Sequence, residues 1–379
     1  MSVAKALFWG SGGLLVLSQL GYGLLLAALA RLRREDPRPP APAPGEEPHV
    51  ALVIAAHREG EVIARKVANA RELDWPADRL QVIVACDGSP DDTPQRARDA
   101  GADVVLELPW GGKVVAQDAG VAAADPRSTL IAFSDANSVW DPGALRALAA
   151  RLTGDTGYVC GQVRFVNPDG GTNQEGLYWR YEMWLRGLES RLRSVTAGNG
   201  AIYAVRREDY LHVDPVMGHD LSFPFNFVRR GRRAVYEPSA RATERMVPSI
   251  EGEFARKRRM MSHAWPIVLR GGMLDLRGFG PLYALMIVCH RWLRYAAPLL
   301  HLVLLASSIA LAGEGTIYAL ALALQVAVLV AALLGARVRA RPLLIARYYV
   351  LTTLALAGGL WDHLRHGTPA GWAPPEGTR

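Results

Sequence analysis

The stretch Thr129-Leu130-Ile131-Ala132-Phe133-Ser134-Asp135-Ala136-Asn137 decides the fold, because an apolar run ends in a carboxylate and a second oxygen donor. Two further apolar runs end in the same way. Residues 50–56 lead into His57-Arg58-Glu59, and residues 80–86 lead into Asp87-Gly88-Ser89. Ligands of open α/β sheets collect at the carboxyl ends of the strands. The three runs therefore predict three strands whose polar ends border one crevice.

The polar middle of the chain alternates between strand-like and helix-like segments. Strands are predicted at 50–56, 80–86, 103–107 and 129–133, and helices at 61–73, 93–100, 114–124 and 142–152. In the last helix, Asp141 is the predicted N-cap and Pro142 the first helical residue. This alternation predicts an α/β fold with a mainly parallel sheet that is covered on both faces.

Two common nucleotide sites are disfavoured by the glycine pattern. No G-x-G-x-x-G follows the first strand, which argues against a dinucleotide site. Gly111-Gly112-Lys113 lacks the upstream glycine of a P-loop, and valine follows the lysine. The usual machinery of ATP hydrolysis is therefore missing.

Uncharged runs at 7–30, 295–313 and 316–336 are each long enough to cross a bilayer, which takes roughly 20 residues. A fourth run, 342–361, contains Arg347 and either crosses or lies flat. The first run also resembles a secretory signal, because Ala28-Leu29-Ala30 is like a cleavage site. Its length and the arginines that follow it favour a membrane anchor with a cytoplasmic C-terminal end.

These observations divide the chain into six segments. We predict an anchor at 1–34, a proline-rich linker at 35–48, a cytoplasmic α/β domain at 49–275, an interfacial helix at 276–294, membrane helices at 295–361 and a tail at 362–379. A helix between Glu175 and Glu189 is also predicted. It would pack Leu177, Tyr181, Trp184 and Leu188 on the domain or at the membrane surface.

The net charge of +7 does not indicate a nucleic-acid partner. The arginines cluster beside the apolar runs and at 256–259, without a helix-turn-helix or zinc-finger pattern. A basic collar that faces membrane lipids explains the charge better. Cys86, Cys160 and Cys289 lack metal-type spacing and are predicted to be buried thiols.

The ordered set of polar motifs resembles the membrane-bound family 2 glycosyltransferases. The motifs are residues 57–59, 87–89, 112–113, 135–137, 198–200, 219–220 and 256–259. That family has the GT-A fold and includes the synthases of cellulose, hyaluronan and poly-N-acetylglucosamine. The resemblance implies transfer of a sugar from a nucleotide sugar, with a UDP-sugar as the expected donor and Mg²⁺ or Mn²⁺ as cofactor.

The resemblance also implies a role for each motif. Asp135 and Asn137 would hold the metal, Asp220 would be the general base, and Arg259 would lie against the diphosphate. Asp87 would contact the uracil or ribose. The remaining donor-binding residues would be Ala56, His57, Glu59, Gly88, Lys113, Gly198, Asn199, Gly200 and Arg256. Asn137 replaces the second aspartate of the D-x-D motif, and residues 256–260 lack the glutamine and tryptophan of the family's acceptor-side motif.

The chemistry of sugar transfer requires these residue types independently of the family resemblance. Charge builds on the leaving diphosphate, so a cation and fixed positive donors belong there. The acceptor hydroxyl must lose its proton to a base, and burial raises the pKa of a carboxylate enough for this task. One base without a second carboxylate nucleophile favours inversion. Structural roles stay open: Asp220 as a helix N-cap, Asp214 as a turn residue or weaker base, and His219 as a packing histidine.

The sequence thus predicts an inverting, metal-dependent glycosyltransferase on the cytoplasmic face of the cell membrane. Its acceptor would be a polysaccharide or another glycan. The alternatives are transfer of one sugar to a lipid or lipid-linked acceptor, and a degenerate nucleotide-binding scaffold of an envelope-assembly complex. Because three or four spans are too few to enclose a polymer channel, a translocating synthase would need a homo-oligomer or an export partner.

Overall fold

The computed structural model describes residues 2–33, 42–43, 45–166, 175–245 and 250–371. Most of the predicted linker, Arg34 and tail residues 372–379 lie outside the described residues, as does the side chain of Leu177. Within them, eight strands form one sheet. They are β1 (Val50–Ala56), β2 (Leu80–Asp87), β3 (Val104–Leu108), β4 (Leu130–Asp135), β5 (Val139–Trp140), β6 (Thr156–Val166), β7 (Ile202–Arg206) and β8 (Arg233–Arg245).

The strand order is β3-β2-β1-β4-β7-β6-β8-β5. The four strands predicted from the sequence are parallel neighbours, with Ala56 beside Cys86 and Ala55 beside Asp135. The other half is mixed, because β7 is antiparallel to β4 and β6, whereas β6 and β8 are parallel. The α/β fold class is confirmed, and three of its parallel pairs, β1–β2, β1–β4 and β2–β3, lie where the β-α alternation is found.

The helices that surround the sheet are α1 (Val3–Val16), α2 (Tyr22–Leu32), α3 (Ile63–Arg71), α4 (Thr93–Asp99), α5 (Lys113–Ala122), α6 (Ala144–Arg151), α7 (Glu175–Leu192), α8 (His219–Arg229), α9 (Ile250–Leu269), α10 (Pro281–Ile287), α11 (Leu293–Tyr295), α12 (Ala297–Leu311), α13 (Thr316–Leu334) and α14 (Arg341–His366). Two π-helical turns, Leu17–Gly21 and Val288–Trp292, join α1 to α2 and α10 to α11. Short 3₁₀ turns lie at Ala77–Arg79 and Arg207–Asp209.

The sheet buries both faces. Successive β1 residues point to opposite sides. Leu52 joins a cluster with residues of α3 and α6, whereas Val53 joins one with residues of α8. All seven β1 residues are at most 1% exposed, which explains the unbroken apolar run. One helix start was wrong: α6 begins at Ala144 with Gly143 as its N-cap, because Asp141 to Gly143 form a turn.

Three described helices are long and apolar enough to cross a membrane: the continuous Val3–Leu32, Thr316–Leu334 and Arg341–His366. Pro281–Tyr295 and Ala297–Leu311 would make a fourth span if taken as one, but they are bent by 64°. Lys5 Nζ lies 2.8 Å from Glu314 Oε2, so the start of α1 adjoins the turn between α12 and α13.

Helix α14 packs along α9 of the sheet domain. Arg258 Nε donates to Asp362 Oδ2 (2.7 Å), and Trp265 Nε1 donates to Leu356 O (3.0 Å). After α14, Thr368 Oγ1 donates to Ser262 O at 2.8 Å. The described part of the tail therefore lies against α9.

Candidate active site

The carboxyl ends of β2, β1 and β4 adjoin each other and form the floor of a crevice. Because these strands are parallel neighbours in register, Asp87, His57 and Asp135 lie along one edge of the sheet. The sequence motifs that follow the three apolar runs are thus brought together, as expected for the carboxyl ends of neighbouring parallel strands.

Lys113, Asp135 and Asp220 meet around Gly200. Lys113 is the first residue of α5, and its ammonium group forms an ion pair with Asp135 Oδ1. A Cβ atom at Gly200 would lie 3.4 Å from Lys113 Nζ and 3.9 Å from Asp220 Cβ. A cation at a helix start opposes the helix dipole, so Asp135 and other anions must hold it there. Burial works against this charge, yet Asp135 and Asp220 raise the pKa of Lys113.

Asp220 lies in the first turn of α8, whose N-cap is Gly218, so the alternative role of N-cap is excluded. Burial raises the pKa of the Asp220 carboxyl, and nearby Asp135 acts in the same direction, while Lys113 opposes them. The next residue, Leu221, is buried among apolar side chains. A carboxylate with a raised pKa is a better proton acceptor, which is the property that a general base needs.

The alternatives to Asp220 have structural roles. Asp214 is exposed, and its Oδ1 accepts from Val216 N (3.0 Å), as in a turn. His219 is buried and stacks on Phe223, with ring centroids 3.9 Å apart. Burial lowers its pKa well below the usual range, so His219 is a neutral packing histidine.

The loop of Gly198, Asn199 and Gly200 is held by the base segment and by the sheet. Gly198 N donates to the backbone oxygen of Asp220 at 2.6 Å. A Cβ at Gly198 would overlap the hydroxyl of Tyr158, so only glycine fits there. Asn199 Nδ2 donates to Gly161 O. The loop is therefore fixed beside Asp220 rather than being a solvent-exposed turn.

Asp87 holds the loop that precedes Lys113. Its side chain is 0% exposed, and Oδ1 accepts from Gly111 N (2.6 Å) and Gly112 N (3.1 Å). His57 Nδ1 lies 2.6 Å from the Asp87 backbone oxygen, and its ring stacks with Trp110 at a centroid distance of 6.3 Å. The Asp87 carboxylate is therefore already satisfied by backbone donors, and a contact with a nucleoside stays a prediction.

Ala56, Glu59 and Gly88 support this edge of the crevice. Ala56 is the last residue of β1 and is 0% exposed, and Glu59 is 1% exposed. Glu59 N donates to Thr93 Oγ1 at 2.9 Å. Gly88 has φ +56°, and a Cβ there would lie 2.7 Å from Trp110 Cβ, so glycine allows Trp110 to approach.

Asp135 and Asn137 belong to one turn, closed by Ser138 N donating to Asp135 O at 3.2 Å. Their oxygen atoms suit a hard divalent cation. Among the described residues, no group of three His, Cys, Asp or Glu side chains could hold a metal ion. The Asp135 carboxylate already pairs with the ammonium of Lys113, and its side chain is 29% exposed. The residues thus fit a cation whose remaining ligands come from a bound diphosphate.

The basic motif lies on α9. Arg256 Nε donates to Glu253 Oε2 at 2.7 Å, which engages its guanidinium within its own helix. Arg259 follows three residues later, and its backbone oxygen accepts from Ser262 Oγ (2.7 Å). The proposed diphosphate contacts of both arginines stay predictions.

A buried polar cluster joins α2 to the loop of Gly198. Glu189 on α7 accepts from the Tyr22 hydroxyl (2.6 Å) and from Thr196 N (3.0 Å), and His290 Nδ1 lies 2.6 Å from Oε1. Arg291 Nε donates to Thr196 Oγ1 at 2.9 Å. Burial favours protonation of Glu189, but His290 and Arg291 hold its pKa at about 2. The apolar face predicted for α7 packs on the N-terminal helix. There the Tyr181 hydroxyl donates to Gln19 O at 2.7 Å.

Lys66 and Trp110 were missed by the sequence analysis. Lys66 is 1% exposed on α3, with Nζ 5.1 Å from the Trp140 ring centroid. Burial lowers its pKa to about 7, although Asp135 and Glu244 oppose that effect. The signal was present: Lys66 shares the apolar face of α3 with Ile63 and Ala70. Trp110 is 62% exposed at the crevice, and the sequence around it held no comparable signal.

Residues 51–213 match the family model described as Glycosyl transferase family 2. The chain contains a family 2 glycosyltransferase domain. The match runs from β1 through β7, and includes the motifs at 57–59, 87–89, 112–113, 135–137 and 198–200. Asp220 and the basic motif of α9 lie beyond it.

One solved structure resembles nearly the whole chain, and another resembles part of it. A mannosyltransferase from Pyrobaculum calidifontis, in complex with GDP-mannose and Mn²⁺, has a TM-score of 0.74 at 20% identity, covering 96% of this chain and 98% of its own. Glucosyl-3-phosphoglycerate synthase from Mycobacterium tuberculosis has a TM-score of 0.42 at 20% identity, covering 59% of this chain and 81% of its own. Among curated proteins no match was found. The first similarity shows that the family 2 domain and its flanking helices share an overall fold with that enzyme.

Proposed function

We propose that the chain is an inverting, metal-dependent glycosyltransferase that moves a sugar from a nucleotide sugar to a glycan or polysaccharide acceptor at the membrane. The observation that carries this proposal is the meeting of Lys113, Asp135 and Asp220 around Gly200. A cation, a metal-type carboxylate and a half-buried base then share one site within reach of a small ligand. The family 2 domain supports the reaction class, and the resemblance of the motifs supports a UDP-sugar as donor.

Asp220 takes the proton of the acceptor hydroxyl in this reaction. As the proton leaves, the acceptor oxygen forms a bond to the anomeric carbon, and the bond from that carbon to the diphosphate oxygen breaks. Nucleoside diphosphate is the leaving group. The configuration at the anomeric carbon inverts because attack and departure occur on opposite faces of that carbon. Gly198 positions the base, since its N–H donates to the Asp220 backbone oxygen.

Negative charge on the departing diphosphate needs fixed positive groups. Lys113 supplies one, at the start of α5 beside Asp135. Asp135 and Asn137 would hold Mg²⁺ or Mn²⁺, which as a Lewis acid stabilises the diphosphate when bound. The presence of Mn²⁺ in the complex of the similar mannosyltransferase supports this cofactor. Arg256 and Arg259 complete the proposed donor set from α9.

Transfer of one sugar to a lipid or lipid-linked acceptor is the second candidate. Leu221, next to the proposed base, belongs to the same buried apolar cluster as Tyr22 and Leu26 of the anchor helix and Met286 of α10. The base side of the crevice is thus continuous with the helices proposed to lie at the bilayer. This continuity suits an acceptor that reaches Asp220 from the membrane.

We further propose the placement of the segments. The family 2 domain at 49–275 faces the cytoplasm, the helices at 1–34 and within 295–361 hold it to the cell membrane, and 276–294 lies at the interface. Because the tail returns to α9, α14 lies against the domain rather than carrying the chain across. Homo-oligomers or an export partner would be needed only for polymer translocation.

The test is a screen of purified protein, with Mn²⁺, against UDP- and GDP-linked hexoses and N-acetylhexosamines. We expect slow hydrolysis of one donor, and faster release of nucleoside diphosphate when a glycan or polyprenyl acceptor is added. NMR of the product should show inversion at the anomeric carbon. Binding of a nucleotide without turnover of any donor would instead favour the scaffold, and retention would exclude the single displacement.

A further inference from the structure

The end of the described chain packs on the proposed donor site. After α14, Gly367 takes φ +72° and turns the backbone. Thr368 Oγ1 then donates to Ser262 O of α9 (2.8 Å) and lies 2.9 Å from His363 Nδ1. Residues 367–371, here called the strap, are thereby tied to both helices.

The strap contacts the loop that Asp87 holds. A Cβ at Gly112 would overlap the carbonyl oxygen of Ala370 and lie 2.8 Å from its carbonyl carbon. A Cβ at Gly371 would lie 2.6 Å from Trp110 Cε2. Backbone therefore lies directly on backbone at Gly112, and the strap touches the edge of the Trp110 indole.

Trp110 offers an exposed flat surface next to this contact, and the buried ring of His57 lies beside it. The two rings stack at an interplanar angle of 28°, beside the end of β2. Aromatic faces of this kind are the usual platform for a nucleobase, because every base has a face that can stack. Trp110 keeps 62% of its surface exposed although the strap adjoins it. The strap thus borders the platform and leaves room for a planar ligand.

We infer that residues 367–371 form the outer wall of the donor site and help to bind the nucleoside of the nucleotide sugar. This inference rests on the proposed function, and it assigns a binding role to a segment far outside the family 2 domain. Backbone groups near an aromatic platform fix the orientation of a ligand, as in most small-molecule sites. The wall is anchored through Thr368, so donor affinity depends on that hydroxyl.

Two variants test the wall. Thr368→Val keeps the shape of the side chain and removes its hydrogen bonds, and a chain ending at His366 removes the strap. Thr353→Val is the matched control, because its hydroxyl donates to Tyr349 O within α14. Calorimetry with UDP and with GDP, each with Mn²⁺, gives the dissociation constant. Donor titrations give KM and kcat separately.

We expect the nucleotide to bind about fivefold more weakly in Thr368→Val, the effect of one lost hydrogen bond, and about tenfold or more weakly in the shortened chain. KM for the donor should rise in parallel, with kcat within about twofold of the parent, while Thr353→Val matches the parent. Unchanged nucleotide affinity in both strap variants would contradict the inference that the strap binds the nucleoside. Tighter nucleotide binding by the shortened chain would contradict it as well. A parent protein that bound neither nucleotide would overturn the proposed function as well.

Discussion

Replacing Glu189 with glutamine removes the negative charge from the buried cluster that joins α2 to the loop of Gly198. The substitution keeps the size of the side chain. The carboxylate accepts hydrogen bonds from Tyr22 and Thr196 and lies 2.6 Å from His290 Nδ1. An amide carries two donors of its own, so it cannot accept all of these bonds. We expect Glu189→Gln to destabilise the folded protein.

The magnitude follows from the pKa of Glu189, which is about 2 in the folded protein and 4.5 ordinarily. The difference corresponds to about 3 kcal/mol, at about 1.4 kcal/mol for each pH unit. A depressed pKa stabilises the fold at pH values above 4.5, and this stabilisation is lost as the pH falls towards 2. For a protein of this size, about 3 kcal/mol lowers Tm by about 5–10 °C.

The assay is thermal unfolding in detergent, followed by circular dichroism at pH 7 and pH 3. Glu72→Gln is the control, because Glu72 is exposed at the end of α3. We expect the Tm difference between parent and Glu189→Gln to be less than half as large at pH 3 as at pH 7. A change of Tm below 2 °C at pH 7, or an equal difference at both pH values, would refute the reasoning.

Three further predictions concern the site and its placement. Asp220→Asn should lower turnover about 10²–10⁴-fold, with little change in donor affinity, because it removes the general base; near-normal kcat would contradict this. In the parent, kcat should fall as the pH is lowered past the raised pKa of Asp220, because the protonated carboxyl cannot act as the base. The variant should not show this decrease of kcat at low pH. Calorimetry should show weak Mn²⁺ binding without nucleotide and firm binding with UDP, because Asp135 is the one charged ligand of the proposed pair; tight binding to the free protein, or full activity in EDTA, would oppose it. Single cysteines placed in a cysteine-free chain can be labelled with an impermeant maleimide. We expect a cysteine at Glu314 to react in intact cells, and cysteines at Ser89 and Thr368 to react only after lysis. Labelling at Ser89 in intact cells would contradict a cytoplasmic site, because the site could then not reach cytoplasmic nucleotide sugars.

The parallel half of the sheet was predictable because its signals are local. An apolar run buried on both faces, a turn, and an amphipathic helix repeat within about 30 residues, and each unit adds a parallel strand to the same sheet. Asp87 and Asp135 could therefore be placed at one edge from the sequence. The antiparallel pairing of β7 with β4 and β6 was not predicted, because the β-α alternation found in the sequence ends before β6 and β7.

The sequence by itself determined which residue types could carry the chemistry, and through motif order it indicated their roles. Tertiary structure alone decided that Lys113 pairs with Asp135 and that Gly200 lies between Lys113 and Asp220. It alone decided that the Asp87 carboxylate accepts hydrogen bonds from the backbone N–H groups of Gly111 and Gly112. It also decided where α14 and the strap lie. Hydropathy gives α14 the length and apolarity of a span, but its direction depends on contacts with α9, such as the ion pair of Arg258 with Asp362. Such pairs join residues about a hundred positions apart, and no local pattern specifies which distant partner satisfies a charge.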